Sequence, residues 1–339
     1  MLAIAALFIV PSYAPANPIN VRWVDDEARA ALAILRKEAR HQPVDQSDWQ
    51  SLFRSEGYRR LKDRELGIKR PFTDDDFRMF LSSDSVIKKG AAFQHTLEAW
   101  SRVDVSALGE QSMRYLPPEA TIKACVYPLI KPRPNSFVWD TQTDPAIMLY
   151  LDPSERPKRL SKTVIHELHH IGFASCCPNE SFKDWVGHLP EQRKQAIEWT
   201  EAFGEGYAVL AAAGGPKNDP MAAYEIDVRN AWNHGIIHLA EDMRTLTVFL
   251  TDCATGKLSH DLAESTGMGF FGVQGPWYTV GYVQATTIER VFGHEKLMAC
   301  FEDPRMMLPT YNQAVTLLPR GVRRPPMWSH DLIDLLIRY

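Results

Sequence analysis

The chain has 339 residues, 45% of them hydrophobic and 24% charged, with a formal net charge of -4. This is the composition of a folded globular protein, long enough for one large domain or two of ordinary size. Its slight acidity argues against a nucleic-acid-binding surface, and no run of 18 apolar residues predicts a membrane-spanning helix.

Residues 1–16 differ from the rest. Leu2 to Val10 is a short apolar run, followed by Pro11, Ser12, Tyr13, Ala14, Pro15 and Ala16. Small residues at Ser12 and Ala14, or at Ala14 and Ala16, fit a signal-peptidase site, and the run is too short to span a bilayer. Export to the periplasm or beyond the cell is therefore expected, although a basic start is missing. The alternative is a cytoplasmic protein with a buried N-terminal strand or helix. The cysteines Cys125, Cys176, Cys177, Cys253 and Cys300 form no CxxC pair, which argues against a cysteine zinc knuckle. In an exported protein they allow one or two disulfides; otherwise they pack as small hydrophobes.

In chain order, Asp25 to Arg40 reads as a helix with Ala28, Ala31, Leu32 and Leu35 on one face. A second helix is predicted over Gln46 to Leu66. Thr73, followed by Asp74, Asp75 and Asp76, marks a third helix start, because the threonine can cap and the acids suit the positive end of the helix dipole. A further helical pattern covers Ile87 to Trp100. Ala120 to Ile130 and Ala146 to Leu151 are short apolar runs of strand type, separated by a loop with Pro132, Pro134 and Asn135. Helices follow over Arg159 to Ala174, Leu189 to Ala213, Met221 to Leu250, Thr279 to Phe292 and Met327 to Arg338. The expected fold is α+β and helix-dominated, with a small sheet before the helix at 159–174. The expected organisation is a signal peptide at 1–16, a helical N-terminal part at 17–116 and a zincin-like catalytic region at 117–339, with one continuous domain over the last two as the alternative.

The helix at 159–174 carries His166-Glu167-Leu168-His169-His170. His166 and His170 are four apart, so their rings project from one face and can grip one tetrahedral zinc ion. Glu167 lies beside them, where a carboxylate can take a proton from metal-activated water. His169 points off that edge and reads as structural or as a hydrogen-bond partner of a ligand. A pair of ordinary exposed helix histidines is the plain alternative. A catalytic zinc site needs a third protein ligand. The pattern with glycine at 173 and histidine at 176 fails, since Phe173 and Cys176 stand there. Glu201 and Glu205 share a helical face downstream, and Gly204 and Gly206 flank Glu205. Glycines inside a helix cost about 1 kcal/mol each relative to alanine, and close approach to the motif helix would account for them. Glu205 is the favoured ligand and Glu201 the alternative. The one not chosen could hydrogen-bond a ligand histidine, or both could be solvated helix charges.

The sequence HELHH at 166–170 followed by GEGYA at 204–208 resembles the gluzincin group of zinc metallopeptidases, in which the glutamate of the second element completes the site. More closely, the chain is similar to a bacterial family of zinc-dependent peptidases of unsettled function. The likeness rests on Asp48-Trp49 to Tyr58, the motif helix, Glu201 to Ala208 and Tyr278 to Tyr282, and spans most of residues 25–320. It implies a zincin-like catalytic core, a zinc cofactor, Glu167 as general base and a peptide or protein substrate. It also implies an oxyanion stabiliser, for which Tyr278 and Tyr282 are candidates, with His188, His234, His238 and His294 weaker ones. Ala146 to Leu151 is expected to be an exposed edge strand that pairs with an extended substrate. Two other functions fit the same residues: an inactive peptidase-like binding module, which has no need of Glu167, and a zinc hydrolase acting on a small amide or a lipid.

Overall fold

The computed structural model describes residues 18–140 and 143–337, so the export-signal pattern at 1–16 lies outside the described residues. The N-terminal part comprises β1 (Ile19–Trp23), α1 (Asp26–Glu38), α2 (Gln46–Arg54), α3 (Glu56–Gly67), α4 (Asp74–Leu81), the single turn α5 (Asp84–Ile87), α6 (Gly90–Trp100) and α7 (Val105–Met113). Then come β2 (Ile122–Leu129), β3 (Phe137–Trp139), β4 (Ala146–Tyr150) and the long helix α8 (Pro157–Cys176). The remainder is helical: α9 (Glu180–Gly187), α10 (Glu191–Thr200), a 3-10 turn (Glu201–Phe203), α11 (Gly204–Ala213), α12 (Ile226–Ile237), α13 (Leu239–Ala254), α14 (His260–Gly269), α15 (Pro276–Phe292), α16 (His294–Glu302), α17 (Met307–Leu317) and α18 (His330–Ile337). The protein is α+β and helix-dominated, with a small sheet ahead of the motif helix.

Local chemistry explains several boundaries. At α4, Thr73 and Asp76 form a reciprocal capping box. The helix expected over 46–66 is broken at Ser55, whose backbone is extended. The Ser55 hydroxyl donates to the Leu52 carbonyl and accepts from the Tyr58 amide, ending α2 and capping α3. An apolar face alone carries no sign of such a stop.

The four strands lie in the order β1-β2-β4-β3. β1, β2 and β4 are parallel, whereas β3 runs antiparallel to β4 with Phe137 opposite Met148 and Trp139 opposite Ala146. This corrects the expectation of an edge strand over 146–151: β4 is interior, and β3 occupies that edge. β3 was hidden because three residues inside a proline-rich loop leave no periodicity to read. The Arg64 guanidinium lies 3.8 Å from the Phe137 ring centroid, and Arg60 lies 5.6 Å from that of Trp139, so α3 supplies cation–π cover for the short strand.

Two apolar cores meet along α8. One joins the sheet to α1–α8, with Trp100, Tyr127 and Phe93 among its fully buried side chains. The other joins α9–α18 around Trp277, Phe203 and Tyr311. Phe173 and Cys176 on α8 pack against both. All five cysteines are free thiols, and all except the half-buried Cys176 are buried, so they pack as small hydrophobes rather than as disulfides. No helix of the described residues is long and apolar enough to cross a membrane.

Candidate metal centre

α8 starts at Pro157, whose missing N–H costs nothing in the first turn. Leu160, Val164, Ile165, Leu168 and Ile171 form its buried stripe. Gly172 lets it approach the sheet: a Cβ there would meet Leu116 Cδ1 at 2.2 Å and Ile122 Cγ1 at 3.1 Å. His169 falls on the same side. Its Nε2 donates to the Tyr115 carbonyl at 3.0 Å, and burial together with His170 pushes its pKa down to about 3. His169 is therefore a neutral structural histidine. His166, Glu167 and His170 occupy the opposite, partly buried edge.

α11 crosses that edge. From Gly206 to Ala213 all its residues are buried, and Gly214 ends it in the left-handed region at φ 78°. Lys162 on α8 donates to the Ala212 carbonyl at the C-terminal end of α11, while His166 and His170 meet Glu205 in its first turn. The two helices therefore run antiparallel, tied at both ends.

The Nε2 of His166 lies 3.0 Å from Oε2 of Glu205 and 3.1 Å from Nε2 of His170, which in turn is 3.4 Å from the same Glu205 oxygen. A tetrahedral zinc with bonds near 2.0–2.1 Å sets its ligand atoms about 3.3 Å apart. Two imidazole nitrogens and one carboxylate oxygen at these separations suit that ion in both chemistry and spacing. Among the described residues, this is the one group of three or more His, Cys, Asp or Glu side chains whose ligand atoms converge in this way.

Electrostatics points the same way. Burial opposes charge on His170, yet Glu205 and Glu167 outweigh it and lift its pKa to about 9. Burial pushes the Glu205 carboxyl up, but His170 and His166 reverse this and hold it well below the usual carboxylate range. The protein field thus demands a cation at this point, and a proton or a metal ion can meet that demand. Burial pushes the Glu167 carboxyl up, against the pull of His166 and His170. The His170 side chain keeps 28% of its exposure, so the cluster opens to solvent on one side.

Of the two candidate glutamates, Glu205 joins the histidines and Glu201 is exposed in the preceding 3-10 turn. A 3-10 turn rotates about 120° per residue against about 100° in an α-helix, so Glu201 is swung off the face of Glu205. Gly206 is small because of α15, not the motif helix, and a Cβ on Gly204 would meet nothing within 4 Å. Both points correct the expectation drawn from the glycine pair.

Tyr278, at the start of α15, stacks on His166 with ring centroids 6.2 Å apart and an interplanar angle of 18°. Burial, then the adjacent Glu205 carboxylate, raises its pKa. Tyr282 is turned elsewhere: its ring packs edge-on to Trp232 at 5.1 Å and lines a separate cleft. Nor do the other histidines reach the cluster. His188 bonds the Asp184 carbonyl, His234 and His238 stack on each other, and His294 bonds Glu289. Sequence reasoning missed Tyr224, in the turn before α12. Arg159, two turns ahead of Glu167 on α8, sits 5.0 Å from the Tyr224 ring centroid. Burial pushes the Tyr224 hydroxyl up to about 12, with Arg159 opposing and Glu155 and Glu167 adding to it. A lone tyrosine in a turn carries no pattern to flag it.

Helices that bring two histidines and a glutamate together beside a further glutamate form a cluster that could hold a metal ion, with a donor set that suits zinc. A family model described as "Putative zinc dependent peptidase (DUF5700)" matches residues 49–319, and the chain belongs to that family. No curated protein and no solved structure matches it.

Proposed function

We propose that the protein is a gluzincin-type zinc metallopeptidase, with His166, His170 and Glu205 holding the ion and Glu167 acting as general base. The observation that carries this reading is the convergence of three ligand atoms within 3.0–3.4 Å, with Glu167 adjacent on the same helix edge. When bound, zinc polarises a carbonyl and acidifies water at neutral pH. Glu167 accepts the proton of the attacking water and passes it to the leaving amine. Tyr278 donates its hydroxyl to the developing oxyanion, and its stacking on His166 fixes the ring for that role. Buried His169 anchors α8 and takes no proton. An extended peptide substrate pairs with the sheet at β3, the outer strand, rather than at β4. The export pattern at residues 1–16 supports action in the periplasm or outside the cell; a mature N-terminus near residue 17 in the protein made by its host tests this.

The test is digestion of a peptide library by zinc-loaded parent and by E167Q. The parent is expected to cleave, and E167Q to keep its zinc while losing roughly 100-fold or more in rate. An E167Q variant that cleaves at the parent rate contradicts the mechanism. A zinc-loaded parent that cleaves no peptide contradicts the peptidase reading; turnover of small amides or esters would then assign it to another hydrolase class, and no turnover at all to a binding module.

A further inference from the structure

Two tyrosines one turn apart on α15 have different surroundings: Tyr278 stacks on His166 of the metal cluster, while Tyr282 lines a cleft of about 590 Å³ between α12, α13, α15 and the segment leading to α18. That volume is ordinary for a small-molecule site. Its floor is apolar: Trp232 and Tyr282 pack edge-on at 5.1 Å, with Leu239 and Val283 beside them. At its mouth Ile237 is 70% exposed and Val322 50% exposed, so the apolar surface continues out to solvent.

The polar part of the lining is of one sign. Arg290, Arg323 and Arg324 line the cleft and no acidic residue does. Among the described residues none of the three guanidiniums has a carboxylate within ion-pair distance. Arg290 donates to the Pro216 carbonyl and Arg324 to that of Leu318. Each guanidinium carries five N–H donors, so most remain to be used. In a chain of net charge -4 this is a local reversal of charge.

We propose that this cleft binds a long-chain fatty acid, its acyl chain along the Trp232–Tyr282 floor and its carboxylate among Arg290, Arg323 and Arg324. The walls favour an acyl chain over a peptide. α12, α13 and α15 spend their backbone groups on their own hydrogen bonds, so these three walls offer an extended peptide no backbone partners. A methylene chain needs none, and guanidinium forks match the carboxylate.

The test is titration of the full chain with palmitate, with palmitate methyl ester and with a hydrophobic tetrapeptide carrying a free C-terminus. Palmitate is expected to bind saturably at one per chain, with a micromolar Kd. The ester should bind at least about tenfold more weakly, as should palmitate to R323E/R324E, both on an exposed segment where substitution leaves the fold intact. I237E, at the exposed apolar mouth, should weaken the binding of both palmitate and its methyl ester. The inference is overturned if palmitate shows no saturable binding, if the ester binds as well, if R323E/R324E binds like the parent, or if the tetrapeptide binds more tightly than palmitate.

Discussion

Gly206 on α11 faces Gly281 on α15 so closely that a Cβ on Gly206 would lie 2.6 Å from the Gly281 Cα and 2.0 Å from the Tyr282 backbone nitrogen. In return, a Cβ on Gly281 would lie 2.3 Å from the Phe203 carbonyl oxygen. Neither neighbour is the end of a flexible side chain, so neither can swing away. This backbone-to-backbone contact sets how near Glu205, one residue before Gly206, lies to Tyr278, one turn before Tyr282.

The contact makes G206A costly. Overpacking against backbone is expected to destabilise the protein by about 3 kcal/mol or more, at the upper end for such changes. G204A, where a Cβ meets nothing, is expected to be neutral or to stabilise by up to about 1 kcal/mol. Urea unfolding of the two variants checks this; equal midpoints would show that the α11–α15 contact is not the constraint.

Tyr278 is expected to act on rate rather than on metal binding. Y278F should hold as much zinc as the parent and lower kcat by roughly 100-fold, the usual loss for one oxyanion donor, with a smaller change in KM. Parent-level kcat in Y278F would remove the tyrosine from the chemistry and leave it as a packing partner of His166.

Glu27, buried on α1, shapes the pH dependence of stability. Its Oε2 accepts from the Ile130 amide at 3.0 Å, and its Oε1 has no partner. Burial pushes its pKa up to about 8, against the lowering effect of that hydrogen bond. A folded-state pKa above the unfolded one means that the fold prefers the proton. The stability this group contributes is therefore full below about pH 4.5 and is lost as pH rises through about 8. E27Q keeps the acceptor for Ile130 and cannot ionise. Between pH 5 and pH 8 the parent is expected to lose on the order of 3 kcal/mol relative to E27Q. Parallel stability curves would show that Glu27 does not ionise in this range.

How much of this was legible beforehand follows from the kind of signal each residue carries. α8 was readable because a 3.6-residue apolar period runs through it, and His166, Glu167 and His170 lie on one helix with no interruption. Glu205 was readable as a candidate, but separating it from Glu201 needed the 3-10 turn at Glu201–Phe203, which changes phase without any change in hydrophobic pattern. Strand β3 and Tyr224 were invisible for a related reason: three residues and a single turn are too short to have a period. Gly206 announced a close approach but not its partner. Which helix comes near is decided by tertiary packing, and here that helix is α15.

The most direct test of the three-ligand centre is zinc content per chain, measured by elemental analysis after zinc loading and dialysis, in the parent, E205Q and E201Q. The Glu205 oxygen lies 3.0 Å from His166 Nε2, whereas Glu201 is exposed in the adjacent turn. The parent and E201Q are therefore predicted to hold about one zinc per chain, and E205Q less than about 0.2. Equal zinc in E205Q and the parent, or a parent that stays below about 0.2 after loading, would contradict the centre built on His166, His170 and Glu205.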